Sequence, residues 1–121
     1  MQNSELPIID QFLAFYKQFY GYRKLFPKQD RHMLGAKCES YIIEILAELY
    51  KAKFAGRVQR AEIIQTTSEN FDLLKVFVRL LFEMRVLPQG KYLILERRLQ
   101  EIGRMLGGWL KSQPKNQNGL L

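Results

Sequence analysis

The chain has 121 residues, 47% hydrophobic and 26% charged, with 19 Lys and Arg against 12 Asp and Glu, a net charge of +7. Those values describe one folded domain able to bury about two-thirds of its unfolded surface, and they exclude an intrinsically disordered chain. The single Cys38 excludes an internal disulfide, no apolar run approaches the ~20 residues of a membrane span, and the N-terminus MQNSELPIID lacks the basic region of a secretory signal, so the expected location is the cytoplasm, away from membranes. The basic excess favours a polyanion partner, nucleic acid before an anionic membrane surface, over a basic domain with no such partner.

In chain order, Met1 to Glu5 reads as a frayed lead, and Leu6-Pro7 suits a helix start because proline in the first turn forfeits no hydrogen bond. Ile8, Phe12, Phe15, Phe19 and Tyr22 share one face of the first helix, and Ile9, Leu13, Tyr16 and Tyr20 widen it. That arc is too broad for a helix lying on one core, so it is buried on two sides or meets another subunit. Pro27 to His32 reads as a polar loop. The second helix begins at Met33 or Leu34 and carries Leu34, Cys38, Tyr41, Ile45, Leu49 and Ala52 as a stripe, with Ile42 and Leu46 beside it and Ile43 and Tyr50 off it. Gly56 is its expected C-cap. The third helix is expected from about Arg57 to Leu87, with Val58, Ala61, Ile64, Phe71, Leu74, Val78, Leu81 and Met84 inward. Thr66-Thr67-Ser68 is a poor helix-forming run in its middle, but the apolar phase continues across it and predicts one unbroken helix.

The last helix, Tyr92 to Lys111, reads YLILERRLQEIGRMLGGWLK. Tyr92, Leu95, Leu99, Ile102, Leu106 and Trp109 recur at three- and four-residue steps; Arg97, Arg104 and Lys111 recur at seven-residue steps on another face. Gly103, Gly107 and Gly108 lie inside it, each costing roughly 1 kcal/mol relative to alanine. The expected reason is close approach of another backbone, with Trp109 filling the space beside it. Residues 113–121 read as a disordered tail.

No strand pattern competes. Four helices with short loops predict an all-α, antiparallel up-down-up-down four-helix bundle over residues 1–112. The loops near Pro27 and Pro88 then share one end with Arg23, Lys24, Lys28, Arg31, Arg85 and Lys91. The other end gathers Lys51, Lys53, Arg57, Arg60, Arg104, Lys111 and Lys115. Cations near helix C-termini are explained by the macrodipole, which leaves Arg57, Arg60 and Lys91, near helix starts, as the better polyanion candidates. Tyr20 and Tyr22 beside Arg23 and Lys24 fit a base-stacking platform, but core or subunit interface is the preferred reading. Arg79 either pairs with Glu83 on the surface or faces a subunit or polyanion.

No catalytic, cofactor or metal site is expected. His32 and Cys38 lack the spacing of a ligand or nucleophile pair, there is no ExxH, and Gly103 to Gly107 follows no strand and lacks the GK[ST] of a phosphate loop.

The run EIGRMLGGWLK, Glu101 to Lys111, resembles the C-terminal signature of the accessory variability determinant (Avd) proteins of diversity-generating retroelements. These belong to a wider group of small four-helix-bundle proteins that includes the 23S rRNA intervening-sequence proteins. Phe26-Pro27-Lys28, then Arg31 and Leu34-Gly35, resembles the group's first interhelical loop and second-helix start; Phe77 to Leu81, with Arg79, resembles its third helix. The resemblance implies a ring-shaped homopentamer that binds nucleic acid, RNA before DNA. It also implies association with the retroelement's reverse transcriptase, which supplies the chemistry of mutagenic reverse transcription. It tilts Arg79 toward an interface or polyanion. The nucleic-acid-binding candidates on this reading are Arg23, Lys24, Lys28, Arg31, Arg57, Arg60, Arg79, Lys91, Arg97, Arg104 and Lys111. The alternatives are an intervening-sequence-type bundle and a protein-interaction module without nucleic-acid binding.

Overall fold

The computed structural model describes residues 6–113. The expected frayed lead, Lys115 and the tail beyond Gln113 lie outside them. The chain forms α1 (Pro7–Arg23), α2 (Lys28–His32), α3 (Leu34–Phe54), α4 (Arg57–Glu83) and α5 (Gln89–Lys111), with no strand among the described residues. The four long helices make the bundle. Each borders two others: α1 and α4 both pack against α3 and α5.

Neighbouring helices run antiparallel, as pairs of contacts show. Between α3 and α4, Tyr41 packs against Phe77, ring centroids 5.4 Å apart, while the later Glu48 accepts from the earlier Asn70 at 3.0 Å. Between α4 and α5, Phe82 stacks on Tyr92, its ring centroid 4.4 Å away, while the earlier Phe71 meets the later Gly103. Between α1 and α5, Gln18 bonds Arg98, and Tyr22 lies under the Lys91 ammonium.

The core follows the periodic stripes. Phe12, Phe15 and Phe19 of α1 meet Cys38, Ile42, Ile45 and Leu49 of α3, Ile64, Phe71, Leu74, Val78 and Leu81 of α4, and Leu95, Leu99, Ile102 and Leu106 of α5. The loop residues Phe26 and Leu87 close one end of it. Each fully buried phenylalanine stabilises the fold by about 3–5 kcal/mol against truncation to alanine, so Phe15→Ala is the kind of single change that would undo so small a domain.

The helix α4 is unbroken through Thr66-Thr67-Ser68, as its apolar phase requires. Thr67 is the one buried polar residue of the described chain, and its hydroxyl donates to the Ile63 carbonyl at 2.7 Å, which removes the cost of burying it. That helix ends at Glu83, short of the expected Leu87. Val58 and Met84, expected in the core, are 76% and 59% exposed. Val58 precedes Ile64 by six residues, a rotation of about 240° that takes it off the stripe. Met84 is the C-cap, where helical phase stops.

The segment Pro27–His32, expected as loop, contains α2. Its last turn is held by Arg23, whose Nε and Nη2 donate to the Arg31 carbonyl at 3.1 and 2.7 Å while Nη1 pairs with Glu39. Tyr16 donates its hydroxyl to the same Glu39. Next to this node, a Cβ on Gly35 would sit 2.9 Å from the Asp30 carbonyl, so the tight corner between α2 and α3 needs glycine.

The expected backbone notch in α5 is corrected. A Cβ on Gly103 would meet the Phe71 ring at 3.2 Å, a side chain and not a backbone, and Gly107 and Gly108 face open space. Trp109 is half-buried at the rim of the core.

Candidate nucleic-acid interface

The helical geometry places the basic candidates in three groups, and the hydrogen bonds divide each group into side chains engaged within the fold and side chains left outside it. At the end formed by the Pro27 and Pro88 turns, Arg23 is committed to Glu39 and the α2 terminus. Arg31 reaches the Lys24 carbonyl at 3.5 Å, Lys24 lies over the Tyr20 ring at 4.8 Å, and Lys91 lies over Tyr22 at 5.7 Å. Such placements hold the ammonium stems against the surface and leave their charge available to solvent. Lys28 is exposed and meets no acid among the described residues.

At the opposite end, Arg57 is exposed and unpartnered among the described residues, whereas Arg60 is turned inward. Its Nε donates to the Ala52 carbonyl at 2.8 Å, and its Nη2 donates to Ala55 at 2.9 Å and Lys53 at 3.3 Å. A cation at the start of α4 is thereby placed against the C-terminus of α3, whose orphan carbonyls it satisfies. This resolves its unfavourable position: the turn of Ala55 and Gly56 brings one helix's start beside the previous helix's end. Lys111 is exposed at the same end.

Along α5, Arg97 is exposed and without an acidic partner among the described residues, and Arg104 pairs with Glu101, holding that carboxyl below its ordinary range by hydrogen bonding. Arg79 on α4 pairs with Glu83 at 3.3 Å, both well exposed, the surface pair that the i,i+4 spacing offers. Arg98, absent from the sequence-derived set, reaches across to Gln18 and ties α5 to α1. The structure therefore does not collect all eleven candidates into one patch. It separates Arg23 and Arg60, which bond backbone carbonyls, from Lys28, Arg57, Arg97 and Lys111, which remain outside.

Cys38 and Tyr16 are both held well above their ordinary values. The Cys38 thiol is pushed to about 12 by burial, and the Tyr16 phenol to about 12 by its hydrogen bond to Glu39 and then by burial. Neither lines a reactive cleft. Among the described residues no group of three or more His, Cys, Asp or Glu is placed to hold a metal ion, and no helix is long and apolar enough to cross a membrane.

The surface also carries unpaired apolar area. A groove of about 580 Å³ runs between α1 and α3, lined by Ile9, Leu13, Leu46, Ala47, Tyr50 and Lys51. On α4, Leu73 and Val76 are 43% and 54% exposed. The breadth of the α1 arc is thus explained: Phe12, Phe15 and Phe19 serve the core, while Leu13 and Tyr20 look outward.

A search of the curated proteins finds no match. The sequence model of the bAvd-like family, in contrast, matches residues 7–113, from the first residue of α1 to the end of the described chain. The match takes in all four bundle helices together with the turns that carry the cations. The chain belongs to the bAvd-like family.

Proposed function

We propose that this chain is the accessory protein of a diversity-generating retroelement, acting as a cytoplasmic, ring-shaped homopentamer. It holds RNA, and in some steps DNA, near the element's reverse transcriptase during mutagenic copying, and the polymerase carries out the reaction. Membership of the bAvd-like family, an accessory and scaffold family, supports the assignment. The observation that carries the nucleic-acid part is the exposure of Lys28, Arg57, Arg97 and Lys111 without acidic partners among the described residues. Cations not neutralised within the fold attract phosphates, and a ring would repeat them around its axis.

Support for assembly comes from two unlike sets of exposed apolar residues, those of the α1–α3 groove and Leu73 and Val76 on α4. A closed ring is built from heterologous contacts, in which two different patches of one protomer meet successive neighbours. Exposed apolar area of this kind marks interaction surfaces.

Light-scattering mass in solution, with and without a short RNA and at low and high salt, tests the proposal. A mass near five protomers, with RNA bound at low salt and released at high salt, is expected. A monomer indifferent to RNA would overturn both parts. A ring indifferent to RNA would leave the protein-interaction module, whose partner is then sought by co-purification with the reverse transcriptase.

A further inference from the structure

The backbone turns left-handed at one non-glycine residue of the described chain, Arg85, with φ 64°. It lies just past the end of α4, and the hydrogen bonds there are those of a helix stop built for glycine. The Arg85 amide donates to the Phe82 carbonyl at 3.0 Å, and the Val86 amide donates to the Leu81 carbonyl at 2.9 Å. Both bonds are backbone to backbone, so the stop needs nothing from the arginine side chain. A Cβ is crowded in this conformation, and glycine is the residue that avoids the crowding. Elsewhere the chain places glycine where it relieves nothing: Gly107 and Gly108, inside α5, meet no atom that a Cβ would touch.

The side chain is exposed and makes no hydrogen bond, ion pair or ring contact among the described residues. Glu83, two residues before Arg85, is engaged by Arg79. Attraction between a cation and the helix C-terminus offsets the conformational cost without clearly exceeding it, so helix chemistry alone gives no preference for arginine over glycine. Backbone strain maintained where the surrounding bonds are complete is a mark of function.

We propose that Arg85 contacts the phosphate backbone of a bound nucleic-acid strand, presenting its guanidinium from the bundle end that also carries Lys28, Arg31 and Lys91. This rests on the nucleic-acid reading above and adds to it a residue that neither charge counting nor the macrodipole singles out. Arginine suits the task because its planar fork matches two phosphate oxygens at once.

The test compares wild type with Arg85→Gly, Arg85→Ala and Arg85→Lys, using a labelled single-stranded RNA of mixed sequence across a salt series, with thermal unfolding in parallel. Arg85→Gly and Arg85→Ala are expected to weaken binding by roughly 3- to 10-fold at low salt and to lower the log–log salt slope by about one per engaged protomer. Arg85→Lys keeps the slope. The melting temperature of Arg85→Gly stays level or rises, because the left-handed turn is relieved. A fall in that melting temperature would make the arginine a helix-end device and overturn the proposal. So would wild-type affinity and slope in both Arg85→Gly and Arg85→Ala, a result that leaves the broader nucleic-acid reading standing. If the wild type itself ignores RNA at low salt, the broader reading fails and this inference fails with it.

Discussion

Replacing Arg60 with methionine removes a guanidinium that satisfies three carbonyls at the end of α3 while keeping most of the stem that packs against the surface. Two of those bonds, at 2.8 and 2.9 Å, are of good length, and the third, at 3.3 Å, adds little. A hydrogen bond from a charged donor contributes about 1.5–3 kcal/mol when sheltered. Here the group is half-buried, so water replaces part of what is lost, while the lost attraction to the helix terminus adds about 0.3–1 kcal/mol. The expected destabilisation is about 2 kcal/mol, or roughly 5–10 °C in melting temperature for a domain of this size. Urea and thermal unfolding followed by circular dichroism would read it, at one protomer concentration so that assembly does not contribute differently. Arg60→Lys should recover only the dipole part, because an ammonium cannot span the three acceptors. A loss below about 0.5 kcal/mol for Arg60→Met would mean that water serves these carbonyls as well as arginine does, and the capping argument would fail. Folded Arg60→Met should bind RNA like the wild type, whereas Arg57→Gln should bind less tightly.

The glycines of α5 should separate cleanly. Gly107→Ala and Gly108→Ala each enter open space and should raise stability by about 0.5–1 kcal/mol, whereas Gly103→Ala presses on the Phe71 ring and should gain nothing in the same unfolding assay. Cys38, buried with its thiol at about 12, should resist alkylation at mildly alkaline pH in the native protein, and its labelling rate should track unfolding; rapid native labelling would contradict its burial. Tyr16 carries a folded-state value of about 12 against an ordinary 10, so the stability it contributes is complete below pH 10 and is lost as pH rises toward 12. Tyr16→Phe should flatten that part of the stability–pH curve, and an unchanged slope would remove the Tyr16–Glu39 bond from the argument.

The helices and most of the core were legible in the sequence because burial imposes a period that a linear chain displays. Phe12, Phe15 and Phe19, or Leu95, Leu99, Ile102 and Leu106, declare their faces without reference to any partner. Val58 and Met84 depart from the core because the stripe does not extend to the helix ends: Val58 lies about 240° around the helix from Ile64, and Met84 is the C-cap. The glycine run departs from expectation in another way: its composition implies close approach, but whether a neighbour is a backbone, a ring or solvent is set by a different helix. The cations show the same limit. Which arginines the fold employs depends on carbonyls and carboxylates contributed by other residues. Arg60 serves the terminus of the preceding helix, and Arg23 serves both a short helix and a glutamate 16 residues away. A search for cations just after a two-residue interhelical turn would have found the first, since such a turn places them beside the orphan carbonyls.

The α3–α4 turn has a kinetic meaning as well. Only Ala55 and Gly56 separate two long helices whose contacts extend from Arg60 at the turn through Glu48–Asn70 to Tyr41–Phe77. Those contacts close outward from a short loop, so each adds little further loss of chain entropy. The α1–α5 pair, by contrast, joins residues at opposite ends of the sequence, as Gln18 and Arg98 do. The α3–α4 hairpin should therefore form first and protect its central amides longest in hydrogen exchange, with α1 docking last. The outward-facing apolar residues on α1 would then become part of a complete surface only when folding of the protomer is nearly finished.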